Sequence, residues 1–274
     1  MAPVGTLYTL TKPIIHPRSR MVFFPSPLPL LTPPTHSRGP TCSLLTTPAP
    51  QTLAIASLTS QPLHLPPEFT FSTSNRTPDY LSKFPLGKIP AFEGADGFLL
   101  TESNAIAQYL ADTSPDPSLR AQLLGRTPHE RARIQQWLWF SSQHLEPAFS
   151  TVCVWRWGDG KFAAYDEEKE KKAEGELRRW LGYLEGEIKK LEVEGMNSWL
   201  AGTEGVSLAD LAVCACLYSA FLLYVDEEMR GEYPGVVGLY KRLLRDVEEA
   251  REFYDLEWVK VRKQPPGEGE GEGL

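Results

Sequence analysis

Residues Lys83 to Ala111 read KFPLGKIPAFEGADGFLLTESNAIAQYLA, and this stretch constrains the fold more tightly than any other part of the chain. Phe84 to Lys88 is a polar-punctuated turn, and Pro90 stands at the entrance to an apolar run, Ala91 to Glu93. A second apolar run covers Phe98 to Thr101, and Gly94-Ala-Asp-Gly97 between them supplies the turn conformations of a β-hairpin. Thr101-Glu102-Ser103-Asn104 then precedes Ala105, Ile106, Tyr109 and Leu110, which recur at helical spacing. The hydroxyls are expected to cap exposed backbone N–H groups at a helix start. Such an end attracts carboxylates.

The second half of the chain reads as helical. Thr127-Pro128-His129-Glu130 opens a helix with proline first and glutamate third, and the run to about Trp157 carries Ile134, Trp137, Leu138, Leu145 and Phe149 inward. Pro147 predicts a kink in it. A second long helix is expected from about Ala163 to Glu192, where charges interleave with Leu177, Trp180, Leu181, Leu184, Ile188 and Leu191. Trp199-Leu-Ala-Gly202 then leads to Ser207 and Asp210, a capping-box variant, and to a helix reaching Leu223 that is apolar almost all round. That helix should be the buried centre of a helical domain.

The chain has 274 residues, enough for one large or two modest domains, and 42% hydrophobic residues suffice for a core. A formal net charge of -7, with no basic stripe interleaved with aromatics, argues against nucleic acid as a partner. Apolar runs fall short of the roughly 18 charge-free residues a spanning helix needs, so a soluble protein with no membrane partner is expected. Cys42, Cys153, Cys214 and Cys216 are few and scattered, which suits a reducing, cytoplasmic compartment and gives neither a disulfide framework nor zinc spacing. The five histidines are isolated, so no metal site is expected. The final PPGEGEGEG run has nothing to bury, and a disordered tail over 264–274 follows.

The hairpin with its capped helix, and the Trp199-Leu-Ala-Gly202 turn with the helix that follows Ser207, occur in the order and spacing of the cytosolic glutathione transferases. The chain resembles that family from about Gln51 to Lys263, with an outlying match at Gly5 to Thr9. In wording it is most similar to the transferase-like module of the gamma subunit of translation elongation factor 1. The resemblance implies an α/β thioredoxin-like N-terminal domain over 1–114, a linker at Ser114-Pro-Asp-Pro117, and an all-α C-terminal domain over 118–263. It implies glutathione as co-substrate. In the family the proline matching Pro90 is cis, and the residue before it, here Ile89 after Lys88, pairs its backbone with the cysteinyl part of glutathione as an added strand would. Glu102 and Ser103 match the positions that hold the γ-glutamyl end. Asp210 matches a structural position.

The N-terminal region departs from the family. Gly5-Thr-Leu-Tyr-Thr9 reads as the opening strand, His16-Pro-Arg-Ser19 resembles the turn after it, and Gln51 to Ser57 resembles the first helix. Between them, residues 20 to 50 are crowded with Pro, Ser, Thr and Leu, and prolines at 25, 27, 29, 33, 34, 40, 48 and 50 oppose regular structure. A natural lid, a transit-like segment and translated intron retained in a gene model compete as explanations, the last favoured because family-like sequence resumes on both sides without loss. The second strand is expected over Leu63 to Phe71, beside Thr6 to Thr9.

A transferase lowers the pKa of the bound thiol and aims it at an electrophile, so it needs a donor near the end of its first strand. Thr9, Thr11, His16 and Ser19 are the positions available, with Thr11 and His16 taken as catalytic candidates; Tyr8, inside the strand, is expected to pack. The first functional expectation is conjugation of glutathione to small hydrophobic electrophiles, by a homodimer, with Trp155 and Trp157 either lining the substrate cleft or lying in the core. The second, from a different class, is a non-catalytic interaction module acting in translation beside other elongation factor subunits. One fold serves both.

Overall fold

In the computed structural model, residues 3–9, 49–156, 163–193 and 199–264 are described. Four strands, β1 (Gly5–Tyr8), β2 (Leu63–His64), β3 (Ala91–Gly94) and β4 (Leu99–Thr101), form a mixed sheet in the order β2-β1-β3-β4. β1 runs parallel to β2 with Gly5 opposite Leu63, and antiparallel to β3 with Leu7 opposite Phe92. β3 and β4 are the expected hairpin, with Phe92 opposite Leu100. Gly97, at φ 85°, takes the positive-φ turn conformation.

The helices are α1 (Ala49–Leu58), α2 (Pro78–Lys83), α3 (Ser103–Asp112), α4 (Pro117–Leu124), α5 (Pro128–Phe140), α6 (Glu146–Cys153), α7 (Glu167–Val193), α8 (Leu208–Leu223), α9 (Glu227–Gly231), α10 (Pro234–Asp246) and α11 (Glu248–Tyr254). Helix α1 begins two residues before the expected Gln51 and takes Pro50 into its first turn, where a proline removes no intrahelical bond. The second strand is far shorter than Leu63 to Phe71, because Pro66 and Pro67 end the ladder after His64. Helix α7 starts at Glu167 rather than near Ala163.

The long helix expected from Thr127 is interrupted. After α5 the chain makes a π-helical turn over Ser141–Leu145 and resumes as α6, ending at Cys153. Pro147 has no N–H to give the carbonyl of Gln143 and its ring crowds that carbonyl, so the ladder widens in the turn before it. At the other end of α5 the capping box forms as read: Thr127 accepts from the Glu130 amide at 3.1 Å, and Glu130 accepts from the Thr127 amide at 3.1 Å.

Helix α8 is buried along nearly its whole length, as its composition requires. Asp210 in its first turn is fully buried and accepts from the amides of Leu200 (2.8 Å) and Ser207 (2.9 Å) and from the Ser207 hydroxyl (2.7 Å). It thus splices the 199–202 turn to the helix start, and the Trp137 indole ties α5 to the same turn through the Leu200 carbonyl at 3.0 Å. The larger of two apolar clusters runs from Leu7 and Phe92 of the sheet through Ile55 of α1 and Ile106 of α3 to Leu208 and Leu217 of α8. The sheet layer and the helical layer share this core, which fixes the N-terminal ends of α1, α3 and α6 relative to one another.

The described segment after α11 packs on the helices. The Val259 amide donates to Phe221 at 2.8 Å, Arg262 pairs with Asp226 at 2.9 Å, and Arg156 holds Glu170 with both guanidinium nitrogens at 2.8 Å. Residues 265–274, where disorder was expected, lie outside the described residues.

Candidate functional site

The loop that delivers Ile89 is fastened from below. Asn75 donates to the Gly87 carbonyl at 2.6 Å and the Tyr80 hydroxyl donates to the Lys88 carbonyl at 2.6 Å. Gly87 sits at φ 59°, and a Cβ there would meet Arg76 Nη1 at 2.9 Å, so the turn both needs and admits glycine. The Ile89-Pro90 peptide is cis. Pro90 is buried and Ile89 half-buried. Among the described residues nothing hydrogen-bonds to the Ile89 N–H or C=O, which leaves one unpaired backbone edge at the mouth of β3.

Beside that edge is the start of α3. The expected hydroxyl cap does not form: the N-cap position is Glu102, and its side chain makes no capping bond. Glu102 adopts φ 68° and ψ 117°, a backbone region that costs a non-glycine residue of order 1–3 kcal/mol and that concentrates at functional sites. Asn104 is turned inward, donating to the Leu138 carbonyl at 3.1 Å and so locking α3 to α5. The first amides of α3 and the half-buried Ser103 hydroxyl are left facing a crevice.

Gln51 of α1, Glu146 of α6 and Cys216 of α8 line the same crevice. Burial pushes the Glu146 carboxyl above the usual carboxylate range, the neighbouring Glu102 carboxylate pushes the same way, and Lys88 pulls it back. Lys88 and Glu102 are therefore near enough to act on the Glu146 charge without lining that crevice, whereas Ser103 is brought to it together with Gln51 and Glu146, which sequence reasoning missed. Neither has a local signal. Gln51 sits in an ordinary helix start, and Glu146 gains its place only from the π-helical turn that precedes it. Thr11 and His16 lie outside the described residues.

Other candidates are committed elsewhere. Tyr8 packs among Phe69, Tyr80 and Phe84, with ring centroids 5.6 to 5.8 Å away, and its hydroxyl donates to Glu93 at 2.9 Å. Burial and that carboxylate raise its pKa. Thr9 is fully buried. Trp155 is only 5% exposed and its indole donates to Glu170, which makes it core rather than cleft; Trp157 lies outside the described residues. Burial also raises the thiols of Cys153, Cys214 and Cys216, which suppresses nucleophilic thiolate. Among the described residues no group of three or more His, Cys, Asp or Glu could hold a metal ion, and no helix is long and apolar enough to cross a membrane.

The model of the glutathione S-transferase N-terminal domain matches residues 53–112, and that of the C-terminal domain matches residues 137–246. The chain belongs to the glutathione S-transferase family. The glutathione S-transferase-like protein FUS3 of Gibberella fujikuroi is 37% identical over 211 residues, covering 77% of this chain and 94% of that protein. Elongation factor 1-gamma of Sus scrofa is 36% identical over 172 residues, 63% of this chain but 36% of that protein. A glutathione transferase structure from Burkholderia graminis, with two glutathione molecules bound per subunit, superposes with a TM-score of 0.61 at 26% identity and covers 77% of this chain and 85% of that one. The family fold, a thioredoxin-like sheet layer joined to an all-helical domain, is the one described above.

Proposed function

We propose that this protein binds glutathione between the Ile89 edge and the start of α3, and conjugates its thiol to small hydrophobic electrophiles. The observation that carries the reading is the pair of unfilled backbone features, side by side. Ile89 offers one N–H and one C=O to an extended peptide, and the uncapped α3 start with Ser103 offers donors to a carboxylate. Glutathione has both parts, in adjacent residues of its chain. Lys88, Pro90 and Glu102 complete the assigned contacts. Thr11 or His16 would donate to the thiol. The division into a sheet domain ending near residue 114 and a helical domain from 118 belongs to the same reading, as do a cytoplasmic location and a homodimer, for which the exposed rings of Trp139 and Phe98 offer apolar surface.

A second reading has its own support: a non-catalytic transferase-fold interaction module that associates with elongation factor subunits. The likeness to elongation factor 1-gamma favours it, and so does the engagement of Tyr8 with Glu93. Two measurements separate the readings. The full chain is passed over immobilised glutathione and eluted with free glutathione, then assayed for thioether formation with an activated aryl halide. Retention with turnover supports the transferase; retention without turnover across a panel of electrophiles supports the module; no retention overturns the glutathione site.

A further inference from the structure

The way the helices pack leaves a groove apart from the crevice at the start of α3. Helix α7 lies along α6 and α10 while α5 lies on α8, so the middle of α5 and the last turns of α7 part around a space of about 170 Å³. Arg133, Gln136 and Trp137 line it from α5, at i, i+3 and i+4, and Glu187, Lys190 and Leu191 line it from α7 with the same spacing. Leu200 of the 199–202 turn completes the wall. Trp137 and Leu200 are each 3% exposed, whereas Arg133 and Lys190 are exposed, so the groove has an apolar interior and a cationic rim. It shares no lining residue with the crevice at the start of α3.

Most polar groups on this wall are already engaged. The Trp137 indole donates to the Leu200 carbonyl at 3.0 Å, Gln136 Nε2 donates to the Tyr183 hydroxyl at 3.3 Å, and the Lys190 ammonium sits 2.6 Å from Glu187 Oε1. Arg133 is the exception. Its guanidinium makes no hydrogen bond or ion pair among the described residues, and it reaches the 199–202 turn, where Nη1 would lie 3.7 Å from a Cβ placed on Gly202. With Glu187 answering Lys190, the rim carries one net positive charge, on a planar fork that matches a carboxylate. A doubly charged phosphate would be opposed by Glu187. The volume is close to the roughly 150 Å³ of a cavity that holds one benzene ring, and well below what a drug-sized ligand needs. We propose that the groove is a second ligand site and takes a single-ring aromatic monocarboxylate, with the ring against Trp137, Leu191 and Leu200 and the carboxylate on Arg133. The site stands independently of the glutathione reading.

The test titrates the full-length chain with benzoate, with benzamide, which keeps the ring without the charge, and with inorganic phosphate, which keeps charge without the ring; ligand NMR follows each. Wild type should bind benzoate about fivefold or more tighter than either of the others, the loss expected for a partly exposed charge-assisted pair. Arg133→Gln should weaken benzoate by about fivefold and leave benzamide unchanged. Leu191→Phe fills the groove without altering its charge and should weaken both aromatic ligands. Arg133 is exposed, so the Arg133→Gln arm stands even where Leu191→Phe fails to fold. Benzoate bound equally by wild type and by Arg133→Gln lies elsewhere on the protein and overturns the proposal. Equal affinity for benzoate and benzamide overturns the carboxylate recognition, and phosphate bound as tightly as benzoate overturns the aromatic selectivity. Failure of wild type to bind benzoate at millimolar concentration overturns the site altogether and leaves glutathione binding untouched.

Discussion

The Tyr8 hydroxyl donates across the β1–β3 pair to Glu93 Oε2 at 2.9 Å, and Glu93 in turn holds the Lys83 ammonium at 2.7 and 2.8 Å. A tyrosine near the end of the first strand would be the obvious donor to a thiol, but this one is turned into the aromatic cluster under the Ile89 loop. Its pKa is raised, first by burial and then by Glu93. Tyr8→Phe should therefore leave glutathione affinity and turnover within about twofold of wild type and cost about 1 kcal/mol of stability for the lost hydrogen bond. Stopped-flow conjugation rates and thermal melts check this. A hundredfold loss of rate with affinity retained would make Tyr8 the catalytic donor.

Ser103 separates a cap from a ligand contact. Its hydroxyl satisfies nothing inside α3, so Ser103→Ala should leave the melting temperature nearly unchanged and weaken glutathione by about 1–2 kcal/mol, roughly 5- to 30-fold. Titration and a melt on the same sample give both numbers. Intact affinity with a lowered melting temperature would return Ser103 to a purely structural role.

Glu102 combines a charge at the site with a backbone conformation suited to glycine, φ 68°. Glu102→Gly removes both. Relief of the strain should raise stability by about 1 kcal/mol, a few degrees in melting temperature for a protein of this size, while glutathione affinity falls. Opposite movement of the two readouts is the signature of strain kept for function, and parallel loss would show that the Glu102 side chain supports the fold.

The order of elements was legible from residues whose local chemistry is decisive. Gly94 to Gly97 can only turn, Thr127-Pro128 can only start a helix, and the apolar run after Ser207 can only be buried, so the hairpin, α5 and α8 fall where expected. Asp210 is the clearest case, a buried carboxylate with three donors at the splice its spacing marked. Where the reading failed, a second local rule had been overlooked or tertiary contacts decided. Pro66 and Pro67 cut β2 short, and Asn104 turned away from capping because the Leu138 carbonyl was within reach. Half of the candidate site was legible for the same reason: Ile89, Pro90 and Ser103 belong to one contiguous motif. Gln51 and Glu146 were not, because 95 residues and a π-helical turn separate them in the chain, and only the shared core brings their helices together.

Glu146 should make stability depend on pH. Its folded-state pKa is raised, by burial first and then by Glu102, with Lys88 the opposing charge. A carboxylate whose folded pKa lies above its unfolded value binds more protons in the native state, so stability falls as pH rises from the ordinary glutamate range through the raised folded value. Glu146→Gln lacks that penalty. It should be more stable than wild type at pH 7 by about 1 kcal/mol, the low end for an unpaired buried polar group, and the advantage should vanish at pH 4. Melts of both proteins at the two pH values check this, and equal stability of the two at pH 7 would mean that the Glu146 carboxylate is solvated rather than buried.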